Sequence, residues 1–289
     1  MTTTAAPRPI AAHEEGVPAQ PADVGRPVRD SLVYLGPVYV AAVVLALAIP
    51  GTVENPGPVS GLTALVPALV VGIIRLIARR RHAPANPFPL GMRRLGLRSW
   101  PAAIVIPAAA IIASFAAAWA IGVVGFDGLG GYVAGTPFNL VLLTFIFLGE
   151  EIGWRSYLLP RLASVMPVRR ASVVTGFAQA LFHLPLLLLT DVYDGDGSRW
   201  IVVPGVVVVL TAAGPLFGWL RVRSASLWPA TIAHAAVNTA LVEAPVLISD
   251  NPDTAAYLTS EGGLFTVVIV MGIAAVILRR ANWTPRTAG

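Results

Sequence analysis

Apolar residues along this chain form long, nearly unbroken runs, and most polar residues fall between the runs. Most of the runs approach the roughly 20 residues that an α-helix needs to cross the hydrocarbon core of a bilayer. We therefore predict about eight transmembrane helices and an all-α, polytopic membrane protein. The predicted spans cover residues 31–49, 61–78, 100–124, 138–159, 171–189, 200–220, 227–247 and 263–278.

The segments outside the spans predict a simple domain organisation. Residues 1–30 are rich in Pro, Ala and Thr and contain no apolar stretch, which indicates a disordered cytoplasmic tail. Residues 31–281 are predicted to form a single transmembrane domain, and residues 282–289 a short cytoplasmic tail. Residues 83–99 contain several arginines and prolines, which favours an interfacial segment, and residues 125–137 are typical of a Gly-rich loop.

The composition agrees with a membrane location. The 289 residues are 56% hydrophobic and only 12% charged, whereas a soluble domain is about 25% charged. Cysteine is absent, which excludes disulfides and thiolate metal sites. A net charge of +5 is compatible with binding to nucleic acid, but the arginines cluster at the ends of apolar runs, where they orient helices. We therefore expect the lipid bilayer, and no nucleic acid, as a partner, with the tryptophans mostly as interfacial anchors.

The arginines also predict the orientation of the chain. All 20 basic residues are arginines, and all but Arg199 lie in segments that are cytoplasmic when the N-terminus is cytoplasmic. This distribution follows the positive-inside rule. The absence of lysine, together with abundant Ala, Gly and Pro, indicates a GC-rich genome. We therefore expect an integral protein of a bacterial cytoplasmic membrane with both termini in the cytoplasm.

Three of the predicted spans carry polar groups that are costly inside a membrane. Each charge near the centre of a transmembrane helix costs roughly 2.5–3.5 kcal/mol even on an insertion scale. Such residues normally face a bundle interior or a cavity, so we expect the helices to enclose a polar catalytic cavity where they converge. The residues are Glu150, Glu151 and Arg155 in the fourth span, His183 in the fifth, and His234 and Asn238 in the seventh.

Helical spacing separates the two adjacent glutamates. Glu151 and Arg155 are four residues apart with the glutamate first, which favours an ion pair on one helix face. That pair could be purely structural. Glu150 has no such partner on its own helix, so we expect it to face His183 across the bundle. Glu243 falls near the outer end of its span and is expected to be solvated.

These residue types allow two kinds of hydrolytic site. A buried carboxylate can act as a general base, while a histidine and an Asn amide can donate hydrogen bonds to a developing oxyanion. Alternatively, Glu150, His183 and His234 could hold a zinc ion with an open position for water. The sequence places no Ser or Cys with these histidines in an arrangement that indicates a covalent nucleophile. Both alternatives predict hydrolysis of an amide bond in the membrane by activated water.

The three polar segments resemble the motifs of a known family. The segment from Gly149 to Arg155 resembles an EExxxR motif, the segment around His183 resembles FxxxH, and the segment from His234 to Asn238 resembles HxxxN. In this order they are similar to the CAAX prenyl protease type 2-like family of intramembrane endopeptidases, also called CPBP or ABI. The resemblance covers about residues 95–245, which would be the catalytic core.

The resemblance implies a role for each polar residue. Glu150 and His183 would activate water, His234 and Asn238 would form the oxyanion site, and Glu151 and Arg155 would support the fourth span. The family has been described both as metal-dependent and as a metal-free glutamic protease. We favour metal-free catalysis, with zinc as the alternative cofactor, because the Asn238 amide suits an oxyanion better than it suits zinc.

Two residues depart from the motifs, and the substrate is predicted only by class. Gln179 stands where the second motif has an aromatic residue, and Ser156 stands where the first usually has Gly. We expect Gln179 to make an interhelical hydrogen bond. The expected substrate is a membrane-embedded or lipidated peptide or protein. The alternatives are a non-catalytic peptide-binding or immunity protein of the same fold and, less favoured, a proton-coupled transporter, because no inverted repeat is visible.

Overall fold

The structure, a computed structural model, describes residues 25–48, 57–81, 88–126, 128, 130–190, 198–243, 248–249 and 252–286. Within these ranges the chain is almost entirely helical. The helices are α1 (Gly25–Ala48), α2 (Gly57–Arg80), α3 (Trp100–Ala120), α4 (Gly130–Gly153), α5 (Leu159–Ala163), α6 (Val168–Leu189), α7 (Arg199–Ser224), α8 (Trp228–Glu243), α9 (Pro252–Thr259) and α10 (Leu264–Arg280).

The remaining regular elements are short. A 3₁₀ turn, Leu97–Ser99, leads into α3, and a π-helical turn, Trp154–Leu158, joins α4 to α5. Two strands, β1 (Gly125–Phe126) and β2 (Ile248–Ser249), pair antiparallel, with Gly125 opposite Ser249. The all-α architecture predicted from the apolar runs is therefore confirmed.

Seven helical segments of the described chain are long and apolar enough to cross a membrane. They are Gly25–Ala48, Gly61–Arg80, Leu97–Ala120, Gly135–Ala163, Val168–Leu189, Arg199–Ser224 and Thr254–Arg280. This confirms an integral, polytopic membrane protein, with seven such segments where about eight were predicted.

The predicted span that differs is 227–247, which corresponds to α8. This helix has 16 residues, fewer than the roughly 20 that a span needs, and residues 244–247 lie outside the described part of the chain. It packs against α3, α4 and α7. Ala230, Ala233 and Ala235 are completely buried, because small side chains let the surrounding helices approach closely. Helix α8 is therefore a central element of the bundle.

Two predicted boundaries are wrong. Helix α1 begins at Gly25, so residues 25–30 are helical and do not belong to the tail, whose residues 1–24 lie outside the described structure. Helix α4 begins at Gly130, so most of the predicted loop 125–137 is helix. At the other end, residues 281–286 fold back onto the bundle, where the Arg286 backbone N–H donates to the carbonyl of Arg223 at 2.9 Å.

The segment 88–96 packs on the end of the bundle where α7 meets α8. Its backbone carbonyls accept hydrogen bonds from side chains of that region: Leu90 from Ser156 at 2.6 Å and Met92 from Trp228 at 3.0 Å. Arg93 and Arg94 remain exposed. The segment therefore has one face on protein and its arginines outward, as an interfacial segment requires.

Close helix contacts surround the two glutamates. Gly149 lies directly against the backbone of α2, and a Cβ at this position would lie 2.5 Å from the carbonyl oxygen of Ala64. Gly153, one turn later, lies against Tyr34 of α1 and Pro67 of α2. The glycines on either side of Glu150 and Glu151 therefore allow α4 to sit at the centre of the bundle, which buries both carboxylates.

We expect Gly149→Ala to lower the stability of the purified protein by about 1–3 kcal/mol, because the added methyl group must push α4 away from α2. Gly72→Ala is the matched control, since a Cβ at Gly72 would meet nothing within 4 Å. Thermal unfolding in detergent measures both. A Gly149→Ala melting temperature equal to that of wild type would show that α2 and α4 are not in this contact.

Candidate active site

The predicted polar residues meet where α4, α6 and α8 converge. Glu150, His183, His234 and Asn238 all line one cavity of about 180 Å³, and apolar side chains form most of its remaining wall. Glu150 is 2% exposed and His234 is 4% exposed, while the His183 side chain is 26% exposed. The structure therefore brings together the four residues that the sequence singles out for chemistry.

The two carboxylate oxygens of Glu150 have different surroundings. Oε2 accepts hydrogen bonds from Trp154 Nε1 at 3.0 Å and from Gln179 Nε2 at 2.9 Å. Oε1 lies 3.8 Å from His183 Nε2. The expectation that Glu150 faces His183 agrees with this geometry. The expectation that it has no partner on its own helix is wrong, because the indole of Trp154 lies one helical turn away on the same face.

The hydrogen bond of the His183 ring defines its tautomer. Nδ1 lies 2.8 Å from the backbone carbonyl oxygen of Gln179, and a carbonyl oxygen can only accept. Nδ1 therefore carries a proton, and in the neutral ring Nε2 has the lone pair. That lone pair faces Glu150 Oε1 at 3.8 Å, so two acceptors stand opposite each other at the cavity wall.

Glu151 is the centre of a second polar network. Its Oε1 accepts from Arg155 Nη1 at 2.8 Å and from His234 Nδ1 at 2.8 Å. Glu151 and Arg155 are 0% and 1% exposed, and the guanidinium also lies over the Phe217 ring at 4.7 Å. The predicted ion pair is therefore present, and it extends to His234, a contact that helical spacing alone does not reveal.

Helix α8 supplies the other side of the cavity. The ring of His234 stacks on Phe147, with ring centroids 4.2 Å apart, and the hydrogen bond of Nδ1 to Glu151 further restricts its rotation. The Asn238 amide, one turn later, donates to the His234 backbone carbonyl at 3.1 Å. The shared helix face of His234 and Asn238 therefore places both residues at the cavity, as their spacing predicts.

Gln179 joins the two networks. Its Nε2 donates to Glu150, and its Oε1 accepts from Arg155 Nη1 at 2.6 Å. The interhelical hydrogen bond expected for this residue is therefore observed, and the side chain reaches two of the three charged members of the first motif, Glu150 and Arg155. The position that departs from the aromatic pattern of the second motif is thus occupied by a residue that contacts the site.

The arrangement does not fit a zinc site as it stands. Zinc in proteins is held by four ligands at about 2.0–2.3 Å in tetrahedral geometry. In the part of the chain that the structure describes, no group of three or more His, Asp or Glu side chains is placed to hold a metal ion.

The prediction that Glu243 is solvated is wrong. The residue is 8% exposed, accepts a hydrogen bond from Asn139 Nδ2 and lies against Gly135. The reason is the early start of α4, which continues along α8 and covers this carboxylate. Glu243 therefore links α4 to α8 at a distance from the cavity, whose lining does not include it.

Comparison with known proteins supports the family assignment. Residues 132–240 match the family model described as "Rce1-like: Type II CAAX prenyl endopeptidase Rce1-like". A curated protein of Methanococcus maripaludis named "CAAX prenyl protease 2" is 25% identical over 155 residues, which cover 51% of this chain and 57% of that protein. The chain thus spans little more than half the length of this relative.

The resemblance inferred from the three motifs is confirmed by these matches. The region 132–240 contains every residue of the cavity network on α4, α6 and α8 described above. The class of protein is therefore a helical membrane bundle with a buried glutamate–histidine site. In this region the chain is similar to the Rce1-like family of type II CAAX prenyl endopeptidases.

Removing the guanidinium from the Glu151 network should destabilise the protein strongly. Arg155→Ala would leave a buried carboxylate with His234 alone, and breaking a buried pair in this way costs about 3–5 kcal/mol. Arg279→Ala is the control, because Arg279 is exposed near the end of α10. Thermal unfolding in detergent should show a large drop for Arg155→Ala alone. Equal melting temperatures for the two variants would contradict the structural role of the ion pair.

Proposed function

We propose that this protein is an intramembrane endopeptidase that hydrolyses a peptide bond of a membrane-associated or lipidated substrate with activated water. One observation carries the proposal: Glu150 Oε1 stands 3.8 Å from His183 Nε2 at the wall of a buried, largely apolar cavity. Two acceptors at this distance suit a water molecule that donates one hydrogen bond to each of them.

The proposed first step is attack of this water on the carbonyl carbon of the peptide bond. As the carbon–oxygen bond forms, Glu150 takes one proton from the water, which makes it the general base. The carbonyl oxygen becomes an oxyanion in a tetrahedral intermediate. When the carbon–nitrogen bond breaks, the proton held by Glu150 passes to the leaving amine, so the carboxylate is regenerated.

His234 and Asn238 are the proposed donors to the oxyanion, since both line the cavity that contains Glu150. The Asn238 amide can donate directly. His234 can donate from Nε2 when the ring carries both protons, and Glu151, hydrogen-bonded at Nδ1, compensates the positive charge of that ring. Preorganised donors of this kind typically contribute about 10²–10³-fold to the rate.

The apolar cavity wall and the helical bundle favour a substrate that reaches the site from the membrane. We propose a membrane-embedded or lipidated peptide or protein in a bacterial cytoplasmic membrane. A non-catalytic peptide-binding protein of the same fold would need the peptide site but not the Glu150–His183 pair. The presence of that pair beside the two oxyanion donors favours the enzyme.

Glu150→Gln should reduce the rate of peptide cleavage by at least about 100-fold, because an amide cannot act as a general base. The matched control is Glu243→Gln, a second buried carboxylate on the same bundle whose contact is to Asn139. Cleavage is measured in liposomes with a peptide that the wild-type protein cleaves. Undiminished cleavage by Glu150→Gln would refute the proposed mechanism.

We also propose that catalysis needs no metal ion. Purified wild-type protein should then contain less than stoichiometric zinc by elemental analysis and should keep its cleavage rate after treatment with a chelator. The opposite outcome is one zinc per chain that is lost in His234→Ala, together with inactivation by the chelator. That result would replace water activation by Glu150 and His183 with a metal site.

A further inference from the structure

We propose that Gln179 is a positioning residue that holds one oxygen of Glu150 and thereby leaves the other oxygen for the water. The catalytic part of this inference rests on the proposed function. Its structural part, the anchoring of the Glu150 carboxylate by an amide of another helix, stands on geometry alone.

Gln179 contacts three members of the site from one buried position. The residue is 1% exposed. Its side-chain Nε2 donates to Glu150 Oε2 at 2.9 Å, its Oε1 accepts from Arg155 Nη1 at 2.6 Å, and its backbone carbonyl accepts from His183 Nδ1 at 2.8 Å. The base, the histidine opposite it and the buried cation are therefore all set relative to one residue of α6.

The chemistry of the two neighbours determines which way the amide points. A guanidinium has only donors and an ionised carboxylate has only acceptors. The oxygen of the Gln179 amide must therefore face Arg155, and its nitrogen must face Glu150. The opposite orientation would place two donors together and two acceptors together, so the charges of Glu150 and Arg155 fix the orientation of the amide.

The fixed orientation of the Gln179 amide matters because the χ3 angle of a Glu side chain has a broad, roughly two-fold distribution. A carboxylate with a single donor can rotate and exchange its oxygens. Here two donors from different helices, Trp154 and Gln179, bind the same oxygen, Oε2. The other oxygen, Oε1, faces His183 Nε2. The structure thus divides the carboxylate into an anchored oxygen and an oxygen that faces the cavity.

Gln179 stands where the second motif has an aromatic residue. An aromatic residue, as in the motif that the segment resembles, could not both donate to Glu150 and accept from Arg155. Phe182, the aromatic residue beside His183, is fully buried and packs edge-on against Trp154, with centroids 5.6 Å apart. Phe182 therefore supports the indole donor, while Gln179 supplies the second hydrogen bond.

Three variants test the proposal. Gln179→Met keeps the length of the side chain and removes both hydrogen bonds. Gln179→Glu keeps an acceptor for Arg155 but removes the donor to Glu150. Tyr39→Phe is the matched control. The Tyr39 hydroxyl donates at 3.1 Å to the carbonyl of Ala178, the residue before Gln179, and has no contact with Glu150 in the described structure.

Two measurements are made on purified protein in detergent. Steady-state cleavage separates kcat from KM. Infrared difference spectra, referenced to Glu150→Gln, report the carboxylate stretch of Glu150 and require no turnover. We expect both Gln179 variants to lower kcat about 10- to 100-fold, with KM within about twofold of the wild-type value. Both should also shift the Glu150 carboxylate band. Tyr39→Phe should change neither kcat nor the band.

A wild-type kcat and an unshifted Glu150 band in Gln179→Glu would overturn the proposal. This variant keeps the contact with Arg155 and loses only the donor to Glu150, so that result would show that Gln179 is merely a structural link to Arg155. A shifted band in both Gln179 variants supports anchoring even if wild-type cleavage does not depend on Glu150. That last result would reject the proposed function and leave the anchoring intact, so the two failures are distinguishable.

Discussion

The structure depends on compensating two adjacent carboxylates inside an apolar helical bundle. An unpaired charge in such a place costs several kcal/mol, and one guanidinium, that of Arg155, is available among their observed partners. Glu151 takes Arg155 and His234 directly. Glu150 is stabilised by neutral donors, the indole of Trp154 and the amide of Gln179. One carboxylate is thus neutralised, and the other keeps an oxygen toward the cavity.

This division has consequences for packing and for the histidines. Gly149 and Gly153 bring α4 against α1 and α2, which excludes water from one side of the glutamates. On the other side the cavity remains open to both histidines. The Nδ1 of His183 is held by a backbone carbonyl and that of His234 by Glu151. Nε2 of His183 therefore faces Glu150, and Nε2 of His234 is left for the proposed oxyanion. The same contacts therefore explain burial, orientation and the proposed chemistry.

Much of this could be predicted from sequence, since charged residues inside apolar runs are conspicuous and helical spacing places Glu151 beside Arg155 and His234 beside Asn238. Contacts between helices could not. The indole of Trp154 looks like an interfacial anchor, although it is a donor to Glu150. The glycines of residues 125–137 are typical of a loop, but helix α4 begins at Gly130, and its residues Gly135 and Asn139 lie against the buried Glu243.

The central claim is that Glu150 activates water and forms no bond to the substrate. A single turnover in H₂¹⁸O, with enzyme in excess over a cleaved peptide, tests it most directly by mass spectrometry. Direct attack by water predicts one ¹⁸O in the new carboxyl group of the product and none in Glu150. Unlabelled product, together with ¹⁸O in the Glu150 side chain, would show that the carboxylate attacks the substrate and would contradict the account.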